Sequence, residues 1–150
     1  KIVFIDIEYI YANSTVGKKI NSEIEKKTKD LENKFNKNKK TVDDSKDKLS
    51  KQKNVLSEEE FKKKIKELEN NIKSLNSSIS QKNNEIIKFK QNAKNKFLVE
   101  LNKILQNYAT QNSINLIINK DNILLGKNNL DVTKAILSIL DKEVKTIKIN

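Results

Sequence analysis

Two glycines and no proline in 150 residues leave this chain almost without residues that reverse its direction cheaply. A β-sandwich or β-barrel needs such a residue every 8–12 positions or so, so an all-β sandwich or barrel is not expected and long uninterrupted helices are. The hydrophobic fraction is 35%, below the roughly 45–50% typical of globular domains. A single solid globule of this length is therefore not expected.

Apolar spacing divides the chain. Ile2 to Ile7 is a short β-branched run and reads as a buried strand. Asn13 or Ser14 then serves as an N-cap. Val16, Ile20, Ile24, Leu31, Phe35, Val42 and Leu49 form one thin helical stripe ending near Asn54, with Lys27, Asn38 and Ser45 at its weak positions. Ser57-Glu58-Glu59-Glu60 is a capping box, and its three acids suit the positive end of a helix dipole. From there Phe61, Ile65, Leu68, Ile72, Leu75 and Ile79 keep a 4-3-4-3-4 heptad rhythm, a coiled-coil seam. The series resumes at Ile86, Phe89, Ala93 and Phe97, and broadens at Leu101, Ile104, Leu105 and Tyr108. Two long helices with so short a joint must run antiparallel. They make a helical-hairpin arm over residues 14–112, with its tip near 54–57.

The remaining residues, 1–13 and 113–150, form a small β body. Ile114–Ile118 and Ile123–Leu125 read as strands separated by a turn at Asp121-Asn122. Asp131 caps a helix from Val132 to Asp141, and residues 143–150 read as a last strand or a frayed tail. The expected class is thus α+β and mostly α, a coiled-coil arm on a body built by both chain termini. Such a body is too small to fold well alone. Ile2, Val3, Phe4, Ile5, Leu116, Ile117 and Ile118 are apolar on both strand faces, which needs more protein than one chain supplies. These residues are the expected oligomer interface, where several copies pool their bodies.

Charge follows the same division. Residues 14–112 hold 24 lysines against 14 acids, and the remainder 7 against 6. Two clusters stand out, Lys37/Lys39/Lys40 and Lys62/Lys63/Lys64/Lys66. They are either a solvated helix face that keeps the protein soluble or an electrostatic surface for an acidic partner: unfolded polypeptide, anionic lipid or nucleic acid. Specific nucleic-acid recognition is disfavoured, since the chain has no arginine and its few aromatics are not interleaved with the lysines.

Enzyme chemistry finds little support. Without Cys or His there is no thiol nucleophile, imidazole base, imidazole metal site or disulfide. Gly17-Lys18 lacks the first glycine and the Ser/Thr of a phosphate loop. Asp43, Asp44 and Asp47 sit on a solvated helix among lysines, where no cleft separates their pKa values. Asp121 reads as a turn residue. Asn13-Ser14-Thr15 and Asn76-Ser77-Ser78 match the glycosylation pattern by chance in an asparagine-rich chain. No catalytic residue, cofactor or metal is expected. A chain that begins at Lys1 without any methionine reads as a processed product whose signal peptide has been removed.

Three motifs in order resemble the OmpH-like periplasmic chaperones, the Skp family. Ile2 to Ile7 followed by Ile10 and Ser14-Thr15-Val16-Gly17-Lys18 looks like that family's opening strand and Ser-x-x-Gly-Lys helix start. Leu56-Ser57-Glu58-Glu59-Glu60-Phe61 looks like its Leu-Ser-Glu hairpin tip. Ile114-Asn115-Leu116-Ile117-Ile118-Asn119-Lys120 with Leu130-Asp131-Val132-Thr133 looks like its closing strand pair and last helix start. The resemblance spans the whole chain, although the arginines common in the family's arms are absent. It implies a periplasmic homotrimer with three helical arms around a cavity. That cavity would hold unfolded outer-membrane proteins without ATP, with anionic lipid or lipopolysaccharide as a further partner. The rivals are a basic coiled-coil spacer or adaptor, for which two apolar strands and a capped helix are superfluous, and a nonspecific nucleic-acid binder.

Overall fold

The computed structural model describes residues 1–150. Its elements are β1 (Ile2–Ile5), α1 (Ile7–Asn13), α2 (Thr15–Gln52), α3 (Glu58–Gln111), β2 (Leu116–Asn119) and α4 (Thr133–Glu143), with single 3-10 turns at Lys120–Asn122 and Asn128–Leu130. The fold is mostly α, two long hairpin-like helices with a two-stranded sheet contributed by the two ends of the chain. The chain forms two compact units, Lys1–Glu25 with Phe89–Asn150, and Lys26–Lys88.

In the first unit β1 and β2 pair in parallel, Ile2 opposite Leu116 and Ile5 opposite Asn119. The other edge of β1 is occupied too: Val132 N donates to Phe4 O at 3.0 Å, and Asp6 N donates to the buried Thr133 hydroxyl at 2.9 Å. The opening strand is shorter than its apolar run. Asp6 ends it, because the Asp6 carboxylate accepts the Tyr9 amide at 2.8 Å and so starts α1, a helix the spacing did not disclose. At Ser14 the backbone turns extended and α2 begins. The Ser14 hydroxyl caps that helix as expected, and the α4 carboxylate of Asp141 adds a second cap by accepting Thr15 N at 2.7 Å.

The core of this unit joins Ile5, Ile10, Val16 and Ile20 to Ala93, Phe97, Leu101 and Ile104 of α3 and to Ile136 and Leu140 of α4. Phe97 is its largest fully buried side chain and meets Tyr11 edge-on, with ring centroids 4.9 Å apart. The apolar face of α3 broadens here because it meets several elements rather than a single helix.

Two expected elements are absent. Ile123-Leu124-Leu125 is not a strand: Leu124 and Leu125 are 107% and 93% exposed, and no ladder bonds reach them. The run is apolar enough to suggest a strand, but only Ile123 is half-buried, and the two leucines find no strand edge to join. Residues 144–150 form neither a strand nor a frayed end. They lie extended on their own unit, with Ile147 and Ile149 packed against its core.

In the second unit the chain between α2 and α3 turns within a few residues of the expected tip. Ser57 and Glu60 make both capping-box bonds, Ser57 N to Glu60 Oε2 at 3.1 Å and Glu60 N to Ser57 Oγ at 3.3 Å. Lys34 Nζ donates to Ser78 Oγ at 2.8 Å and Lys64 Nζ to Gln52 Oε1 at 3.3 Å, as antiparallel helices require.

Candidate functional surfaces

Within Lys26–Lys88 the seam residues Phe61, Ile65, Leu68, Ile72, Leu75 and Ile79 are all half-buried, at the heptad positions that the spacing gave them. The α2 side of the pair differs. Its half-buried positions are Lys27, Leu31, Lys34, Asn38, Val42, Ser45, Leu49 and Gln52, so polar side chains outnumber apolar ones, five to three. Phe35, expected in the stripe, lies off it and is 50% exposed. The Asn38 Nδ2 donor is buried without an acceptor. Thr41 and Ser45 donate their hydroxyls to the carbonyls of Lys37 and Thr41, four residues back, a bond that competes with regular helix geometry. A helix pair stapled in this way has modest local stability.

The outer faces carry charge. Lys37, Lys39, Lys40, Lys62, Lys63, Lys64 and Lys66 are all exposed. Lys62 pairs with Glu58 at 2.9 Å, both side chains being mostly in water, an arrangement worth little to stability. Lys64 reaches Gln52, and the other five are in no ion pair. The antiparallel bonds set the two clusters at different levels, Lys37 to Lys40 towards the Lys34–Ser78 contact and Lys62 to Lys66 towards the turn. They form a distributed basic surface and not one focused pocket. Over residues 26–88 there are 18 lysines against 11 acids, net +7. Asp43, Asp44 and Asp47 are exposed on the same helix.

In the first unit the strand residues divide into two groups. Val3, Phe4 and Ile5 are 1%, 8% and 1% exposed, so the chain's own core, the 131–132 segment and Gly126, which lies against the Phe4 ring, already cover them. Ile117 and Ile118 are half-buried. The paired Ile2 and Leu116 remain 53% and 50% exposed. Leu124 and Leu125 add the most exposed apolar side chains of the protein, and sequence spacing gave no sign of it. No helix is long and apolar enough to cross a membrane.

A parallel strand pair made by both chain ends, a capped long-helix pair and a short closing helix define a class of helical-hairpin proteins with a terminal β element. The family model described as outer membrane protein (OmpH-like) matches residues 1–140. The chain belongs to this OmpH-like family, a family of chaperones, and is Skp-like in that sense. Among solved structures, an OmpH-like protein from Caulobacter crescentus CB15, assigned as an outer membrane chaperone, has the same fold: TM-score 0.91 at 16% identity, covering 98% of this chain and 87% of that one. No curated protein matches.

Proposed function

We propose that this protein is an ATP-independent periplasmic holdase that keeps unfolded outer-membrane proteins from aggregating. The observation that supports this reading is the exposed, distributed lysine surface of Lys26–Lys88 on a chain of the OmpH-like family. A holdase needs no catalytic group. It must keep the apolar segments of a client from meeting one another, through many weak contacts that do not fix the client's structure. Exposed, distributed lysines attract an acidic unfolded chain diffusely and speed its capture. The copies associate as a homotrimer through Ile2, Leu116 and the half-buried Ile117 and Ile118, and the lysine-bearing helix pairs surround the client. Half-exposed Ile2 and Leu116 and exposed Leu124 and Leu125 support self-association, because apolar surface of this kind is costly to leave in water. Anionic lipid or lipopolysaccharide is a second class of ligand for the same lysines.

The test is dilution of a urea-unfolded β-barrel precursor into buffer with and without the protein, followed by light scattering. Suppression at equimolar trimer is expected. Capture weakens at about 0.5 M salt, where the screening length is a few Å. No suppression at low salt would leave the adaptor reading. A gel shift with nucleic acid and a steep salt slope, without suppression, would favour the nucleic-acid reading.

A further inference from the structure

In the unit of Lys1–Glu25 and Phe89–Asn150, the helices α1, α2 and α3 leave a hollow of about 360 Å³ between them, open to solvent on one side. Its lining is mostly apolar: the half-buried Ile7, Ile24 and Leu98 and the buried Phe97. Polar groups stand among them. The Tyr11 hydroxyl and the Asn21 carboxamide, both on half-buried residues of the lining, have no hydrogen-bond partner in the chain. The exposed lining residues form the rim. There Lys90 is in no ion pair, while Lys94 and Glu8 hold each other at 3.5 Å with most of both side chains in water.

An apolar concavity of this size with a few unsatisfied polar groups is the usual form of a small-ligand site. The lining says which ligand. Ammonium, phenol and amide N–H groups are donors. The one carboxylate, Glu8, is already engaged by Lys94, and two lysines against one glutamate leave the rim net positive. Burial, and then the Glu8 charge, raise the Tyr11 pKa, so the phenol stays protonated and remains a donor. A ligand that satisfies these groups accepts hydrogen bonds and is negative at one end. Its remainder is apolar, to cover Ile7, Ile24 and Leu98. The two rings of the lining, Tyr11 and Phe97, already pack edge-on against each other, which leaves aliphatic walls for an aliphatic chain. The Glu8–Lys94 pair is exposed and worth little, so it yields to a ligand at small cost. We propose that this hollow binds a single-chain aliphatic carboxylate, with its charged end taken by Lys90 and the Tyr11 and Asn21 donors and its alkyl chain laid on the apolar wall. The site lies outside the lysine surface of Lys26–Lys88, and the inference is independent of the holdase reading.

The probe is dodecanoate, kept below its micellar concentration and titrated into the full chain by calorimetry. A single saturable site per chain is expected. Lys90→Gln removes a charge-assisted bond and should weaken binding about tenfold. Tyr11→Phe removes only a hydroxyl without a protein partner; it should leave circular dichroism unchanged and weaken binding several-fold. Lys142→Gln makes the same charge change at an exposed residue of the same unit, outside the hollow, and should have no effect. Dodecanol, which has the chain without the charge, should bind more weakly than the acid. Equal affinity for acid and alcohol, or equal affinity of the parent, Lys90→Gln and Tyr11→Phe chains for the acid, would overturn the assignment. So would binding of a leucine-ended peptide carboxylate where dodecanoate fails, which would give the hollow to polypeptide ends. Uptake of dodecanoate only as the sedimentation mass falls would give it to a second copy and overturn the assignment as well. Failure of the holdase reading registers separately, as absence of light-scattering protection by the unaltered chain.

Discussion

The Ser14 hydroxyl accepts the Gly17 amide at 3.0 Å, inside a junction where both residues are buried. A Cβ at position 17 would lie 1.7 Å from the Tyr11 carbonyl oxygen and 2.8 Å from Ser14 Oγ. The turn from α1 into α2 therefore closes only around a residue with no side chain, and the serine satisfies an amide that would otherwise be orphaned. Gly17 is required by close approach, since its φ is not positive.

Gly17→Ala should accordingly be worse than Ser14→Ala. The alanine must push the α1 backbone away, costing about 3 kcal/mol or more. Loss of the serine cap costs about 1–2 kcal/mol. Urea unfolding midpoints of the two variants measure the order, and a Gly17→Ala chain as stable as the parent would contradict the junction geometry.

Asn38→Leu should raise stability. Its buried Nδ2 has no acceptor, and an unsatisfied buried donor costs about 1–3 kcal/mol. A leucine also extends the α2 side of the seam. The thermal midpoint should rise with helicity unchanged. Equal or lower stability would mean that the amide is satisfied in solution.

The capping box carries a pH dependence of known sign. Hydrogen bonds to Glu60 from the Ser57 hydroxyl and then the Ser57 amide favour its charged form, and hold its pKa below the ordinary glutamate value. A depressed folded-state pKa adds stability that is present above the unfolded value and is lost as pH falls through the folded one. Acidification should therefore fray the start of α3 while leaving neutral-pH behaviour intact. Carboxyl NMR titration should find the Glu60 pKa returned towards normal by Ser57→Ala. An unshifted value in that variant would remove the reciprocal bond from the account.

Aspartate substitutions separate folding from association. Ile5 is 1% exposed within one chain, so Ile5→Asp buries an unpaired charge and unfolds its own unit. Leu124→Asp and Ile2→Asp replace side chains that a single chain leaves in water. They should keep circular dichroism unchanged while lowering the mass measured by sedimentation. Ile72→Asp, half-buried in the helix pair, should loosen that pair and leave the mass unaltered. A native mass for Leu124→Asp and Ile2→Asp alike would remove these surfaces from the self-association proposal.

Much of this fold was readable from spacing. The capping box and the heptad from Phe61 to Ile79 are local: they depend on residues three and four apart, and a single helix fixes them whatever surrounds it. The lysine surface was readable for the same reason, since exposed positions are those that the seam leaves over. What escaped notice depends on distant partners. The run Ile2 to Ile7 looks like one strand, yet Thr133 and the Asp6 carboxylate end it at Ile5 and start a helix. The tail read as a last strand or a frayed end because Lys19, Asn92 and Lys96, which hold it, lie far away in sequence. Leu124 and Leu125 were misassigned because β propensity measures fit to a half-buried surface, and this chain offers them none.

The parallel pairing of Ile2 with Leu116 sets a timetable. A nascent chain leaves the ribosome with β1 unmatched, builds the two long helices from neighbouring bonds alone, and receives β2 only after both have been made. Until then Val3, Phe4 and Ile5 travel bare, so the newborn protein passes through the same sticky condition from which it is proposed to shield others.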